Sequence, residues 1–194
     1  SGFREAFGGL HLKHGVEPDL AMFGKALGNG YAISAVIGRE NVMQSAQSTF
    51  ISSTFWTERL GPVAALATLA EMERQRSWEV ITQTGRDVKG IWQRVFTNAG
   101  FDYAIGGLDA LPTFSLTVSD WPTYRTLIIQ EMLKKGFLVT SGFYASTAHT
   151  ANHLTEYETA LGQVMQQLSQ VENYAQTKSL LEGPVAHTGF KRLN

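Results

Sequence analysis

The sequence predicts an α/β fold in two parts, and three observations carry that prediction. Two short apolar runs, 19–24 and 32–38, flank the break Gly28-Asn29-Gly30, as two strands joined by an irregular loop would. From Pro62 to Val95, apolar residues recur at three- and four-residue spacing, the period of a helix. Farther on, Phe114, Leu116 and Val118 alternate with Ser115, Thr117 and Ser119, the period of a half-buried strand. These patterns place a first domain over residues 1–97, ending in a long helix, and a small carboxyl-terminal α+β domain over residues 98–194.

In chain order, the run 19–24 is a strand that ends against Lys25, and 32–38 is its neighbour. Residues 39–48 suit a short helix, and "STFISSTFWTERLG" is a polar, hydroxyl-rich turn. Pro62 stands well in a first helical turn, and the spacing of Leu66, Leu69, Val80, Ile81, Val88, Ile91 and Val95 predicts one long helix, interrupted near Gly85 if anywhere. Unbroken, it would span roughly 50 Å at ~1.5 Å per residue. "FDYAIGG" and "TFSLTVS" read as strands. Ser119 or Asp120 can cap the next helix, with Pro122 near its start. "GFLVTSG" reads as a third strand, and Leu154, Tyr157, Leu161, Val164, Leu168 and Val171 mark a final amphipathic helix, ended by Gly183-Pro184 at the latest.

Composition narrows the function. The 194 residues are 43% hydrophobic, with 16 basic against 17 acidic side chains and a net charge of -1. No block of like charge offers a footprint for nucleic acid or an anionic membrane, so small, weakly charged partners are expected. Cysteine is absent, which removes disulfides, thiolate metal sites and thiol catalysis and fits a reducing cytoplasm. No apolar run approaches the roughly 20 residues of a membrane helix. His149 and His153 stand four apart, as do ligands on one helix face, but no third ligand is near and a helix beginning at Thr150 or Asn152 would exclude His149. Capping or packing explains that pair, and His11 with His14, more simply than a metal, and no metal site is expected.

Lys25 is the residue that asks for chemistry. A phosphate-binding GxxxxGK[ST] loop fails, because no glycine precedes Gly24 at the right distance and Ala26 stands in place of the hydroxyl residue. A dinucleotide fingerprint fails because Gly28-Asn29-Gly30 leads into a strand. A lysine at a strand end, flanked by glycines that admit a flat ring, suits Schiff-base chemistry. That chemistry needs a neutral amine, which partial burial favours. The plainer alternative is a surface lysine whose stem covers apolar neighbours.

Motif order adds to this. "SGFREAFGGLHLKHGVEPDLAMFGKALGNGYAISAVIGRENVM" resembles the lysine region of class III aminotransferases, pyridoxal-phosphate enzymes of fold type I. "SSTFWTERLGPVAALATLAEME" resembles the hydroxyl turn and helix that follow, in the branch similar to glutamate-1-semialdehyde aminomutase. The resemblance is strong over residues 1–70 and looser beyond. It implies the carboxyl-terminal part of a fold type I large domain followed by the small domain, with pyridoxal 5'-phosphate as cofactor and an amino donor and a carbonyl acceptor as substrates. Lys25 matches the lysine that bonds the cofactor and moves a proton between substrate Cα and cofactor C4′. Thr54 matches the threonine that reaches the cofactor phosphate of a neighbouring subunit in a homodimer, with Ser53 assisting. A hydroxyl before a helix, together with free backbone N–H groups, is an anion site. Ser52 is a cap, Arg4 is structural, and Asp19 fixes the turn into the strand.

The departures are equally specific. Thr57-Glu58-Arg59 replaces the glycine-asparagine-proline of many members, which alters a pocket wall. "YASTAHTANHLTEYE" lacks the small-domain arginine that grips a substrate carboxylate in many transaminases, and the aminomutase glycine-threonine-leucine turn is also absent. The family's upstream phosphate cradle, stacking aromatic and ring-nitrogen aspartate precede the motif at which this sequence opens. The expectation is therefore a fragment inactive alone, its uncovered apolar strands driving association around residues 19–38. The alternative is a non-enzymatic dimerising module that keeps the family architecture.

Overall fold

The computed structural model describes residues 2–171, 174–187 and 189. The chain divides into two units, Ser1–Thr82 and Gln83–Asn194.

The first unit opens with two single-turn helices that the spacing does not foretell, α1 (Gly2–Glu5) and α2 (Leu10–Lys13), and His11 lies in the second of them. The Glu5 carboxylate is buried and pairs with Lys13, tying the two turns together. Strand β1 (Leu20–Phe23) pairs antiparallel with β2 (Ala35–Gly38), Leu20 opposite Gly38 and Phe23 opposite Ala35. Asp19 fixes the open end of this ribbon: its carbonyl accepts the Arg39 N–H at 3.0 Å, and its carboxylate lies 3.4 Å from the Arg39 guanidinium. The expected helix over 39–48 is one α-turn, α3 (Glu40–Met43), running into a 3-10 turn at Gln44–Ser48.

The single long helix expected from residue 62 is two helices, α4 (Leu60–Gln75) and α5 (Ser77–Asn98). The interruption is at Arg76, with φ 50 and ψ 47, not at Gly85. Gly85 lies inside α5, where an added Cβ would stand 1.6 Å from the Asp109 carbonyl oxygen. Its hydrogen atom is what lets the helix meet the following hairpin. The expected boundary at residue 97 is the end of α5, whereas the division at Thr82 lies within it. The reason is that Val88, Ile91, Trp92, Val95 and Phe96 belong to the core of the second unit.

That second unit pairs β3 (Tyr103–Leu108) with β4 (Leu111–Leu116) as an antiparallel hairpin. Phe114 and Leu116 point into the core, as their alternation predicts. The segment read as a third strand makes only a bridge, Thr113 to Gly142. Phe114 N–H donates to Ser141 O and Phe143 N–H to Pro112 O, each at 2.9 Å. Helix α6 (Trp121–Lys134) begins after Asp120, whose carboxylate accepts from the Thr123 hydroxyl at 2.7 Å. Helix α7 (Ala151–Leu168) begins with a capping box: Thr150 Oγ1 accepts the His153 N–H, and His153 Nδ1 accepts the Thr150 N–H. His149 stays outside the helix, its Nδ1 accepting the Ser146 N–H at 3.0 Å. A last helix, α8 (Tyr174–Ser179), follows and ends before Gly183. No helix among the described residues is long and apolar enough to cross a membrane.

Candidate active site

Strand β1 delivers the chain to Gly24, which is extended (φ -166, ψ -161), and the direction then reverses in a 3-10 turn, Lys25–Leu27. Leu27 is buried and anchors the turn from beneath. Lys25 itself has φ +49, a left-handed conformation that costs a side-chain-bearing residue roughly 1–2 kcal/mol. Glycine would adopt it without cost, so the chain keeps a lysine where the backbone would prefer none. Strain of this kind concentrates at functional positions.

Lys25 is exposed, which corrects the expectation of partial burial. Among the described residues, the Lys25 amine has no ion-pair or hydrogen-bond partner. An amine without a carboxylate partner has no ion pair to break before it meets an incoming carbonyl.

Ser53 and Thr54 sit together in an exposed turn before α4. Ser53 Oγ accepts the Phe55 N–H at 3.2 Å, whereas the Thr54 hydroxyl makes no hydrogen bond among the described residues. Neither is hydrogen-bonded to Lys25. The free backbone donors expected at the helix start are already engaged. Glu58 Oε1 accepts the Leu60 N–H at 2.7 Å, and Glu58 Oε2 accepts from Gly61 at 3.5 Å. Pro62 has no N–H, and Val63 donates to the Arg59 carbonyl at 3.0 Å. Residue 58 therefore caps α4 with its own carboxylate and leaves the negative end of that cap facing any anion. Sequence reasoning treated Glu58 only as a departure; an acidic residue two places before an apolar helix was the available signal. The aldehyde-reactive part of a pyridoxal-phosphate site fits this donor set at Lys25. The phosphate part fits the two hydroxyls and not the helix terminus.

A family profile, aminotransferase class-III, matches residues 5–171. This chain belongs to the class III aminotransferase family. It is 38% identical over 128 residues to a 3-aminobutyryl-CoA aminotransferase of Cloacimonas acidaminovorans, covering 66% of this chain and 31% of that protein. It is 28% identical over 171 residues to a glutamate-1-semialdehyde 2,1-aminomutase of Desulfosudis oleivorans, covering 79% and 40%. This class III chain thus spans about a third to two fifths of the curated relatives it matches. Among solved structures, a pyridoxal-phosphate form of the FumI protein of Sphingopyxis sp. MTA144 superposes with TM-score 0.73 at 26% identity, covering 81% of this chain and 39% of that one. A β-phenylalanine aminotransferase of Variovorax paradoxus, at 21% identity and TM-score 0.76, shows the same fold over 86% of the chain. The mixed helix-and-strand architecture is therefore that of part of a fold type I transaminase.

Proposed function

We propose that this chain carries the covalent lysine of a pyridoxal-phosphate-dependent aminotransferase, or of an enzyme like the aminomutases among its relatives. The observation that carries the reading is Lys25: an unpartnered amine on a left-handed residue at the end of β1, inside the family's motif order. Bound there, pyridoxal phosphate supplies an electron sink for the pair left on a substrate carbon when its proton departs.

The chain's own residues have separable tasks. Lys25 Nζ would be the group that holds the cofactor, through its aldehyde carbon, and as a free amine it would serve as the base and acid that carries a proton from substrate Cα. Thr54 Oγ1 and Ser53 Oγ donate to phosphate oxygens. The phosphate they hold belongs to a second subunit, in a homodimer whose interface includes the exposed apolar residues of the 50–56 turn, Phe50, Ile51, Phe55 and Trp56. The substrates are an amino donor and a carbonyl acceptor, and the cytoplasm is the compartment most consistent with a cysteine-free chain.

The test is direct. Pyridoxal phosphate added to the purified chain should give the visible absorbance of a lysine adduct, trapped by borohydride at Lys25 and lost in Lys25→Ala. Identical spectra for wild type and Lys25→Ala would end this reading.

A further inference from the structure

Something other than its side chain must hold Lys25 in the left-handed region, because that region is disfavoured for a residue with a Cβ. The next residues supply the hold. The Lys25 carbonyl accepts the N–H groups of both Gly28 and Asn29, each at 3.2 Å, and the Tyr31 N–H donates to the Gly28 carbonyl at 3.1 Å. Gly28 is buried with φ -87, an ordinary right-handed value. It is not there for conformational freedom. It is there for space: an added Cβ would stand 2.1 Å from the Tyr31 carbonyl oxygen and 2.8 Å from Ile33 Cγ2. A backbone oxygen cannot rotate out of the way as a side-chain end can. Asn29, which follows, is exposed and also left-handed, at φ +46; asparagine tolerates that region better than most residues.

We propose that Gly28 is a positioning residue for Lys25: by admitting the Tyr31 carbonyl where a Cβ would stand, it closes the Lys25–Asn29 turn and fixes the direction in which the lysine amine leaves the backbone. This rests on the reading of Lys25 as the covalent lysine. Moving φ from the ordinary helical value to +49 swings the Cα–Cβ bond relative to β1 by roughly 110°. A turn released by a bulkier residue 28 would thus aim the amine elsewhere while leaving it chemically intact. The family match does not by itself assign this role, since many glycines in such loops serve backbone freedom rather than space.

The experiment labels the 194-residue chain with pyridoxal phosphate and borohydride, then compares adduct at Lys25 with adduct at exposed Lys178 by peptide mapping, with circular dichroism to establish folding. Wild type should label Lys25 in preference. Gly28→Ala should lower that preference roughly tenfold, the factor by which relieved left-handed strain would repopulate other backbone states. Should Gly28→Ala fail to fold, Asn29→Val decides: a β-branched residue at φ +46 opens the turn from solvent, without a buried clash. It should lose the preference too, while Asn29→Gly retains it. Wild-type preference surviving in folded Gly28→Ala, or in Asn29→Val when Gly28→Ala does not fold, would overturn the positioning role and leave the covalent lysine standing. No preference in wild type would remove both readings.

Discussion

The two units differ in where they put their apolar side chains. The second buries a continuous aromatic and aliphatic cluster, with Trp92, Phe96, Val88, Met132, Val164 and Met165 all excluded from solvent. Trp92, Phe96 and Phe114 pack ring on ring at 4.8–4.9 Å. The first buries only Leu27, Ala65, Met72 and Ile81 among its described large and small apolar residues, and exposes Met22, Val36, Ile37, Phe55, Trp56, Val63 and Leu66. Where exposed apolar residues are contiguous, they mark surfaces that a partner covers. The unit that carries the proposed site residues is thus the less self-sufficient one. Lys25 lies on a turn at the end of a two-stranded ribbon, a structure that is marginal without further packing, and Ser53 and Thr54 lie in the exposed turn before α4. The comparison makes a rule that can be broken: single changes in the second unit should cost folding stability, and changes in the first should cost binding or association instead.

The largest expected effect is Trp92→Ala. The indole is fully buried, and its Nε1–H donates to the Tyr157 hydroxyl at 2.9 Å, so its removal should cost about 3–5 kcal/mol by denaturant unfolding followed through the second unit. A loss under about 1 kcal/mol would show that this core is not the main source of stability.

Next is alkaline pH. Burial pushes the Tyr157 hydroxyl up to about 12, against about 10 for an unfolded tyrosine. Because the folded value is the higher, the unfolded chain gives up its proton first. The stability associated with a neutral Tyr157 is complete below pH 10 and is lost as pH rises from there towards 12, by roughly 2–3 kcal/mol in all. Tyr157→Phe should flatten that part of the profile. The first unit's melting should not share the dependence, and if it did, the contrast between the units would weaken.

Gly85→Ala comes third. The methyl group would meet the Asp109 carbonyl, and a helix forced off the hairpin should cost about 1–3 kcal/mol. Close by, Asp109 is held below the usual carboxylate range chiefly by hydrogen bonding from Lys89, with Arg86 adding to it. A lowered folded value means the contribution is present above the unfolded pKa, near 4, and is lost as pH falls below it. Asp109→Asn should remove that acid-side loss, an effect expected to stay under about 1 kcal/mol because the Arg86 partner is well exposed.

How much of this could be read from sequence follows the same division. The helical character of α5, α6 and α7 was legible, because a buried face imposes its three- and four-residue spacing on residues such as Val88, Ile91 and Val95, whereas the short α8 was not. So was the family, from the order of the GFR, GK and GNG segments. The break at Arg76 was not, since arginine carries no turn signature and Gly85 nearby carries a misleading one. "GFLVTSG" reads as a strand by composition but lacks a ladder, because only its end reaches β4. At the candidate site, the sequence singled out Lys25 for its position in the motif order and gave no sign of its left-handed backbone. Glycines on either side looked like the flexible elements, while the strain fell on the lysine between them. The Glu58 cap was hidden for a related reason: a side chain that folds back on its own helix leaves no periodic trace.

The smallest expected effect on folding belongs to the exposed rings of the first unit. Phe55 and Trp56 are 74% and 69% exposed, so their ring surfaces contribute little to the folded unit as it stands. Replacing both by serine should change unfolding stability within about 0.5 kcal/mol, as for other surface substitutions. If the 50–56 turn is the homodimer contact proposed above, the same double variant should shift the sedimentation profile towards monomer at concentrations where wild type associates. It should also weaken pyridoxal-phosphate retention, because Thr54 would no longer be presented to a neighbouring subunit. A wild type that sediments as monomer throughout, or a double variant that associates unchanged, would assign the exposed rings to a different surface. A double variant that instead lost several kcal/mol would show that these rings pack within the first unit in solution, and the contrast between a folding unit and a docking unit would fail at its clearest point.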